Sequence, residues 1–362
     1  MQTTFCTVCS NGCRLVATTT AQGTTVLSGN RCAQGLAHAR RHWPLATIIQ
    51  SSSPHQSPPA ESVLREVAQR FSVHIKQLLP RVAIQGSPER SRFRIVVEAA
   101  GQQRYLVEQI EPAQQQRREQ IASFLDTLAA AAVKVIPYCR TAQGEAVLAF
   151  DGSFWMVSTW LRGQQPDRAT LWQESWRGEA LGAFLLSLHQ ASASITDPAP
   201  PFNLPDYIDS LLRTIHRHHP RVGASLAASI AFVKDGLYGE YERLPKGFCH
   251  GDSHPLNMLW DSQGIVAALD WEFCGIKPRL YDRALLYGCV GVEHPQAIGG
   301  RCLEALGSVV QRQMGPTALE QRLFAPLAVG LRFGWLAEWL RREDWEMVDF
   351  ELNYMRHLQA SL

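Results

Sequence analysis

Between Asn257 and Asp270 the chain is built to fold back on itself. Met258-Leu259-Trp260 and Ile265-Val266-Ala267-Ala268-Leu269 are short apolar runs, and Asp261-Ser262-Gln263-Gly264 lies between them. Asp can bond its own backbone and Gly tolerates the left-handed region, so the intervening segment is turn chemistry and the whole predicts a β-hairpin. Folding it brings its two ends together. An amide oxygen from Asn257 and a carboxylate from Asp270 can then reach one cation. Mg²⁺ favours such hard oxygen donors and completes its octahedron with water and phosphate, so two protein ligands suffice.

The residues leading into the hairpin are Phe248-Cys249-His250-Gly251-Asp252-Ser253-His254-Pro255-Leu256-Asn257. Asp252 falls on a loop, where its carboxylate can orient a hydroxyl. A positioned carboxylate and two metal ligands are what phosphoryl transfer asks of a protein, since most of its work is placing the nucleophile and neutralising charge on the transferred group. The competing reading is a tight turn at His-Gly-Asp and a strand-end cap at Asp270. His-Gly-Asp with Asn five positions beyond the Asp arises by chance in roughly one chain in a thousand of this length, and the matching hairpin makes coincidence rarer still.

These residues resemble the signature of the aminoglycoside phosphotransferase and choline kinase superfamily, H-G-D-x-x-x-x-N followed by a strand ending in Asp, often Asp-Trp-Glu. Met156-Val157-Ser158-Thr159-Trp160-Leu161-Arg162-Gly163 resembles the family's interlobe segment. Leu181 to His189 resembles its helix ending in Leu-His, and Gly275 to Asp282 the segment after the metal aspartate. The resemblance spans about residues 61–362 and is densest in the C-terminal half.

It implies a two-lobed, protein-kinase-like α+β fold, with a small antiparallel-sheet N-lobe over 61–158 and a mostly helical C-lobe over 164–362. It also implies ATP- and Mg-dependent phosphorylation of a hydroxyl on a small molecule of amino alcohol, sugar or aminoglycoside type. Asp252 is then the catalytic residue, and Asn257 and Asp270 the Mg ligands. Ser158 and Trp160 belong to the segment that receives adenine, and Gly86 and Ser87 to the loop over the phosphates. His250 is expected to brace its loop rather than titrate. Trp271 and Glu272 are expected either to line the acceptor pocket or, for Trp271, to join the core. Asp282 is expected either to cap a helix or to reach back to the catalytic loop.

One position departs from the family. Aligning Tyr105-Leu106-Val107-Glu108 with the usual Tyr-x-Leu-Lys puts a carboxylate where a phosphate-binding cation is expected. Either that alignment slips, or Arg104, on the same strand face, or Lys134 replaces that cation, and Glu119 on the following helix can orient it. The alternative is a nucleotide-binding pseudokinase or redox-responsive scaffold. Lysines are few, only Lys76, Lys134, Lys234, Lys246 and Lys277, which narrows the choice of cation.

Residues 1–50 differ in kind from the rest of the chain. They contain no Asp or Glu, and they carry Cys6, Cys9, Cys13 and Cys32, four of the nine cysteines. C-x2-C-x3-C with a distant fourth Cys is a ligand pattern, and four arginines without acids offset thiolate charge. Around the cysteines, Cys6 to Leu15 and Gly29 to Gly35 resemble the iron–sulfur segment of molybdopterin oxidoreductases and a small CxxC domain found beside flavin dehydrogenases. The resemblance implies an oxidoreductase partner. An iron–sulfur cluster, structural zinc and redox-exchanging thiols all fit. Two β-runs around Gln22-Gly23 and a helix from Ala33 to Arg41 are expected here. Ser51 to Ala60 has linker composition.

Beyond the linker, Val63, Val67, Phe71 and Ile75 recur every four residues and predict a helix over 61–79. Strands are expected at Val82–Ile84, Phe93–Glu98 and Arg104–Ile110. With 46% hydrophobic residues a 362-residue chain can bury a sizeable core, and a net charge of +2 without a basic stripe speaks against nucleic acid. No apolar run suggests a membrane span and the start lacks signal-peptide character, so a cytoplasmic location is expected.

Protein purified without air is expected to carry iron or zinc, and Cys9→Ser or Cys13→Ser to lose it. Metal analysis with an absorption spectrum checks this. Wild-type protein holding neither metal would remove the ligand assignment.

Overall fold

The computed structural model describes residues 58–85, 91–197, 199 and 202–362, and in the first fifty the backbone of four strands. These are β1 (Gln2–Phe5), β2 (Arg14–Thr19), β3 (Thr25–Ser28) and β4 (Thr47–Ile48). β1 to β3 pair antiparallel in order and β4 joins β3 in parallel. The β2–β3 hairpin is the one expected around Gln22-Gly23. Cys6, Cys9, Cys13 and Cys32, the helix expected at 33–41, and Gly86 and Ser87 lie outside the described residues.

The apolar spacing that begins at Glu61 serves two backbones in succession. Helix α1 covers only Glu61–Arg70 and buries Leu64, Val67 and Ala68. It ends where Ser72 turns left-handed at φ 59° and the Val73 amide donates back to the Ala68 carbonyl at 2.9 Å, the closure of a Schellman-type end. Phe71 at the helix end and Val73 and Ile75 beyond it are all buried. Their period of two overlaps the period of four, which is why the sequence predicts one long helix. The next strand is β5 (Gln77–Leu79), and Val82–Ile84 is not a strand. Pro80 cannot donate to a ladder and ends β5.

The chain sorts into two units, Met1–Gln115 with Arg140–Val157, and Gln116–Cys139 with Ser158–Leu362. The first holds a five-stranded sheet in the order β5-β6-β7-β9-β8, with β6 (Ser91–Glu98), β7 (Arg104–Ile110), β8 (Leu148–Phe150) and β9 (Ser153–Thr159). Ile95, Val96 and Val97 of β6 and Val107 of β7 are buried. The antiparallel register sets Arg94 opposite Glu108 and Glu98 opposite Arg104.

The second unit is mostly helical. Its helices are α2 (Gln115–Ala130), α3 (Ser175–Ala191), α4 (Leu204–His218), α5 (Pro220–Ser225), α6 (Ala227–Leu237), α7 (Tyr281–Gly291), α8 (Arg301–Gln313), α9 (Ala318–Arg341) and α10 (Trp345–Ser361). Two antiparallel strand pairs sit among them, β10 (Lys246–Cys249) with β13 (Gly275–Pro278), and, between these in sequence, β11 (Met258–Asp261) with β12 (Gly264–Ala268). One apolar core joins α2, α3 and α8 to β10, β11 and Trp271. A second joins α4, α6, α9 and α10. α3 and α8 approach closely at Gly178 and Gly182, where a β-carbon would stand 1.9 Å from the Cys302 carbonyl oxygen and 2.7 Å from Val309.

Helix α9 is long and apolar enough to cross a membrane, against the sequence expectation, but most of it is buried inside the protein. Its polar residues are paired. Glu320 closes a capping box with Thr317 and takes Arg279 on both oxygens. Arg332 donates to both carboxylate oxygens of Glu351, at 2.6 and 2.7 Å, in a site from which both side chains are excluded from water. Removing one member of such a pair strands a buried charge, so Arg332→Leu is expected to cost about 3–5 kcal/mol in denaturant unfolding. Arg332→Leu combined with Glu351→Leu should recover much of that loss.

Candidate active site

The hairpin forms as its sequence dictates. Asp261 Oδ1 accepts from the amides of Gln263 and Gly264 at 2.7 and 3.0 Å, the local bonding that makes Asp a turn residue. At the other end the Leu269 amide donates to the Asn257 carbonyl at 2.8 Å. Asn257, just before the first strand, and Asp270, just after the second, are thereby held at the same end of the hairpin. Asp270 adopts a left-handed conformation, φ 59° and ψ 60°, which costs a non-glycine residue about 1–3 kcal/mol and persists only where its surroundings fix it.

Asn257 spends its amide nitrogen on Asp252. Nδ2 donates to both the backbone oxygen and Oδ2 of Asp252 at 2.9 Å. An amide oxygen and a carboxylate are hard donors of the kind Mg²⁺ favours. Among the described residues no group of three or more His, Cys, Asp or Glu side chains forms a protein-only metal cage.

The loop carrying Asp252 is hung from a buried carboxylate. Asp282, in the first turn of α7, accepts the His250 amide on Oδ2 at 2.7 Å and the Gly251 amide on Oδ1 at 2.8 Å. Ser253 Oγ donates to the Asp282 carbonyl at 3.3 Å. Burial pushes the Asp282 carboxyl up, against the two amides that favour its ionised form. Gly251 is needed twice over. Its φ is +84°, and a β-carbon would stand 2.1 Å from the Phe273 carbonyl oxygen.

His250 is fully buried and bonded through both ring nitrogens. Nδ1 accepts the Asp252 amide at 3.2 Å, so Nε2 carries the proton and donates to the Leu269 carbonyl at 2.8 Å. One ring thus ties the Asp252 loop to the residue before Asp270. His254 lies beside it, with Nε2 3.8 Å from Asp252 Oδ1.

Trp271, expected at the acceptor pocket or in the core, is a core residue, its indole donating to the Ala268 carbonyl at 3.1 Å and its ring 6.5 Å from that of Phe184. Glu272 pairs with Arg118 of α2. Ser158 is buried and its strand segment bridges to Tyr138. Trp160 is half-buried and Glu119 is on α2. In the first unit Glu108 is 3.3 Å from Arg94 and accepts from Ser91 at 3.0 Å, while Arg104 is 3.3 Å from Glu98.

Sequence reasoning missed Arg94, Arg117 and Arg118. Arg118 had a signal. It shares the apolar stripe of Ile121, Ala122, Leu125 and Leu128, and an arginine at core spacing must be paired. Buried Cys249, Cys274, Cys289 and Cys302 have thiols pushed up by burial, which makes them inert packing residues.

The chain matches the phosphotransferase enzyme family over residues 83–318 and belongs to it. Its fold is similar to that of a microcompartment-associated aminopropanol kinase, with a TM-score of 0.60 and 16% identity over 83% of this chain and 96% of the other. The GDP and kanamycin complex of APH(2")-IIia gives 0.57 and 15%, over 81% and 97%. Amicoumacin kinase hAmiN in complex with AMP-PNP, Ca²⁺ and Ami gives 0.55 and 15%, over 83% and 93%. No curated protein sequence matches significantly.

Asp282→Ala leaves the His250 and Gly251 amides buried without acceptors. Each such group costs about 1–3 kcal/mol, so unfolding midpoints should fall and amide exchange at both residues should accelerate. Unchanged protection would show that the loop is held by other contacts.

Proposed function

We propose that this protein is an ATP- and Mg²⁺-dependent kinase of a small-molecule hydroxyl. The observation that supports the reading is that Asn257 bonds Asp252 by its amide nitrogen at one end of a hairpin whose other end leads into Asp270, which leaves the Asn257 oxygen to be offered to the ion. Asp252 orients the acceptor hydroxyl and takes its proton as transfer proceeds. Asn257 Nδ2 holds the Asp252 carboxylate in that orientation, and His250 fixes the loop from behind. The Mg²⁺ ion, when bound at Asn257 and Asp270, neutralises charge on the β- and γ-phosphates. Adenine is assigned to the backbone around Ser158 and Trp160, and the loop containing Gly86 and Ser87 to the phosphates. The acceptor class is amino alcohol, sugar or aminoglycoside, and the location is cytoplasmic.

A pseudokinase is the second reading, and Glu108 is the observation that favours it. Pairing with Arg94 offsets the Glu108 charge and weakens that case. On sequence grounds the four N-terminal cysteines are assigned to an iron–sulfur or zinc module that docks an oxidoreductase.

Asp252→Asn is expected to lower transfer to the true acceptor about 10²- to 10⁴-fold with little change in nucleotide affinity. A screen of pooled hydroxyl metabolites with ATP and then GTP supplies the acceptor and donor, and calorimetry the affinity. A variant rate equal to wild type would overturn the assignment of Asp252.

A further inference from the structure

Glu272 follows the metal aspartate by two residues, yet its carboxylate is turned toward helix α2. Arg118, only 5% exposed, places Nη1 against Glu272 Oε1 and 3.3 Å from the Tyr138 hydroxyl. The preceding residue, Arg117, donates from Nη2 to the Cys274 carbonyl and lies 3.2 Å from Asp197 through Nη1. Two successive arginines of one helix therefore hold Glu272 and Cys274, in the stretch immediately after Asp270.

The residue between these anchors and the hairpin is Asp270, in its left-handed conformation. On its amino side Leu269 is fixed twice, by the Asn257 carbonyl and by His250 Nε2. On its carboxyl side Trp271 and Cys274 pack into the apolar core, and the Trp271 indole is bonded back to Ala268. Taking Arg118 and Glu272 out of water is costly and a hydrophobic pair would serve stability as well. Guanidinium and carboxylate, however, fix direction as well as contact.

We propose that Arg118 and Glu272 are positioning residues for the metal site, a clamp from α2 that sets the backbone at Asp270 and thereby the affinity for Mg²⁺. The proposal rests on the assignment of Asp270 as a metal ligand. Groups that orient a metal ligand from behind typically change metal affinity about 10- to 100-fold when lost.

The test uses the full-length protein and calorimetric titration of ATP over a range of Mg²⁺ concentrations, with thermal unfolding in parallel. Arg118→Met is expected to raise the Mg²⁺ concentration for half-maximal tight ATP binding about tenfold or more, leaving metal-free ATP affinity unchanged. Arg118→Lys should restore part of the loss, because it keeps the charge while losing the planar fork. Glu272→Gln, which keeps shape and removes charge, should shift the Mg²⁺ requirement in the same direction and carries the test if Arg118→Met does not fold. A lowered melting temperature with an unshifted Mg²⁺ requirement in Glu272→Gln or Arg118→Met would overturn the clamp. Asp270→Ala serves as the control. If it too leaves the Mg²⁺ requirement unshifted, the metal assignment fails, and the clamp falls with it.

Discussion

The site depends first on one buried carboxylate. Asp282 binds two consecutive backbone amides, at His250 and Gly251, and with them fixes the direction in which Asp252 leaves the strand. A neutral acceptor could satisfy one amide. Only a carboxylate can take both in parallel, one on each oxygen, and the pairing is worth its desolvation because both donors are buried with it. Gly251 makes the approach possible by having no β-carbon to meet the Phe273 carbonyl. His250 then extends the same rigidity across to Leu269, so the carboxylate at 252 and the one at 270 are referenced to a common frame.

The hairpin and its neighbours were legible because their signals are local. Turn residues at 261–264 and flanking apolar runs determine a two-stranded loop without help from the rest of the chain. The helix expected over 61–79 failed for an equally local reason. Phe71 and Ile75 fit a period of four as well as a period of two, and Ser72, a residue with no bias toward positive φ, gave no warning of the break. The tautomer of His250 and the pairing of Glu272 were not legible, since each depends on a partner supplied by the fold.

Glu108 shows how a position can mislead when read alone. Along the strand it is a carboxylate in place of a cation. Across the sheet it faces Arg94, a residue whose register with Glu108 is set by pairing between β6 and β7. Charge at this part of the sheet is therefore balanced within the pair, and the same holds for Arg104 with Glu98. The aligned sequence shows which side chain changed. Only the ladder shows that a neighbouring strand supplies the opposite charge.

Helix α2 illustrates the division of labour between apolar and polar contacts. Ile121, Phe124, Leu125 and Leu128 bury it against Phe248 and Trp271. Burial of this kind is strong but non-directional, and it tolerates a helix sliding or rotating by a fraction of a turn. Arg117 and Arg118 do not tolerate it, because each reaches a specific acceptor on the segment after Asp270. The apolar face thus decides that α2 packs there, and the arginines decide its register. A helix fixed in this way transmits any displacement of its own to the backbone at Asp270, whereas a purely greasy contact would absorb it.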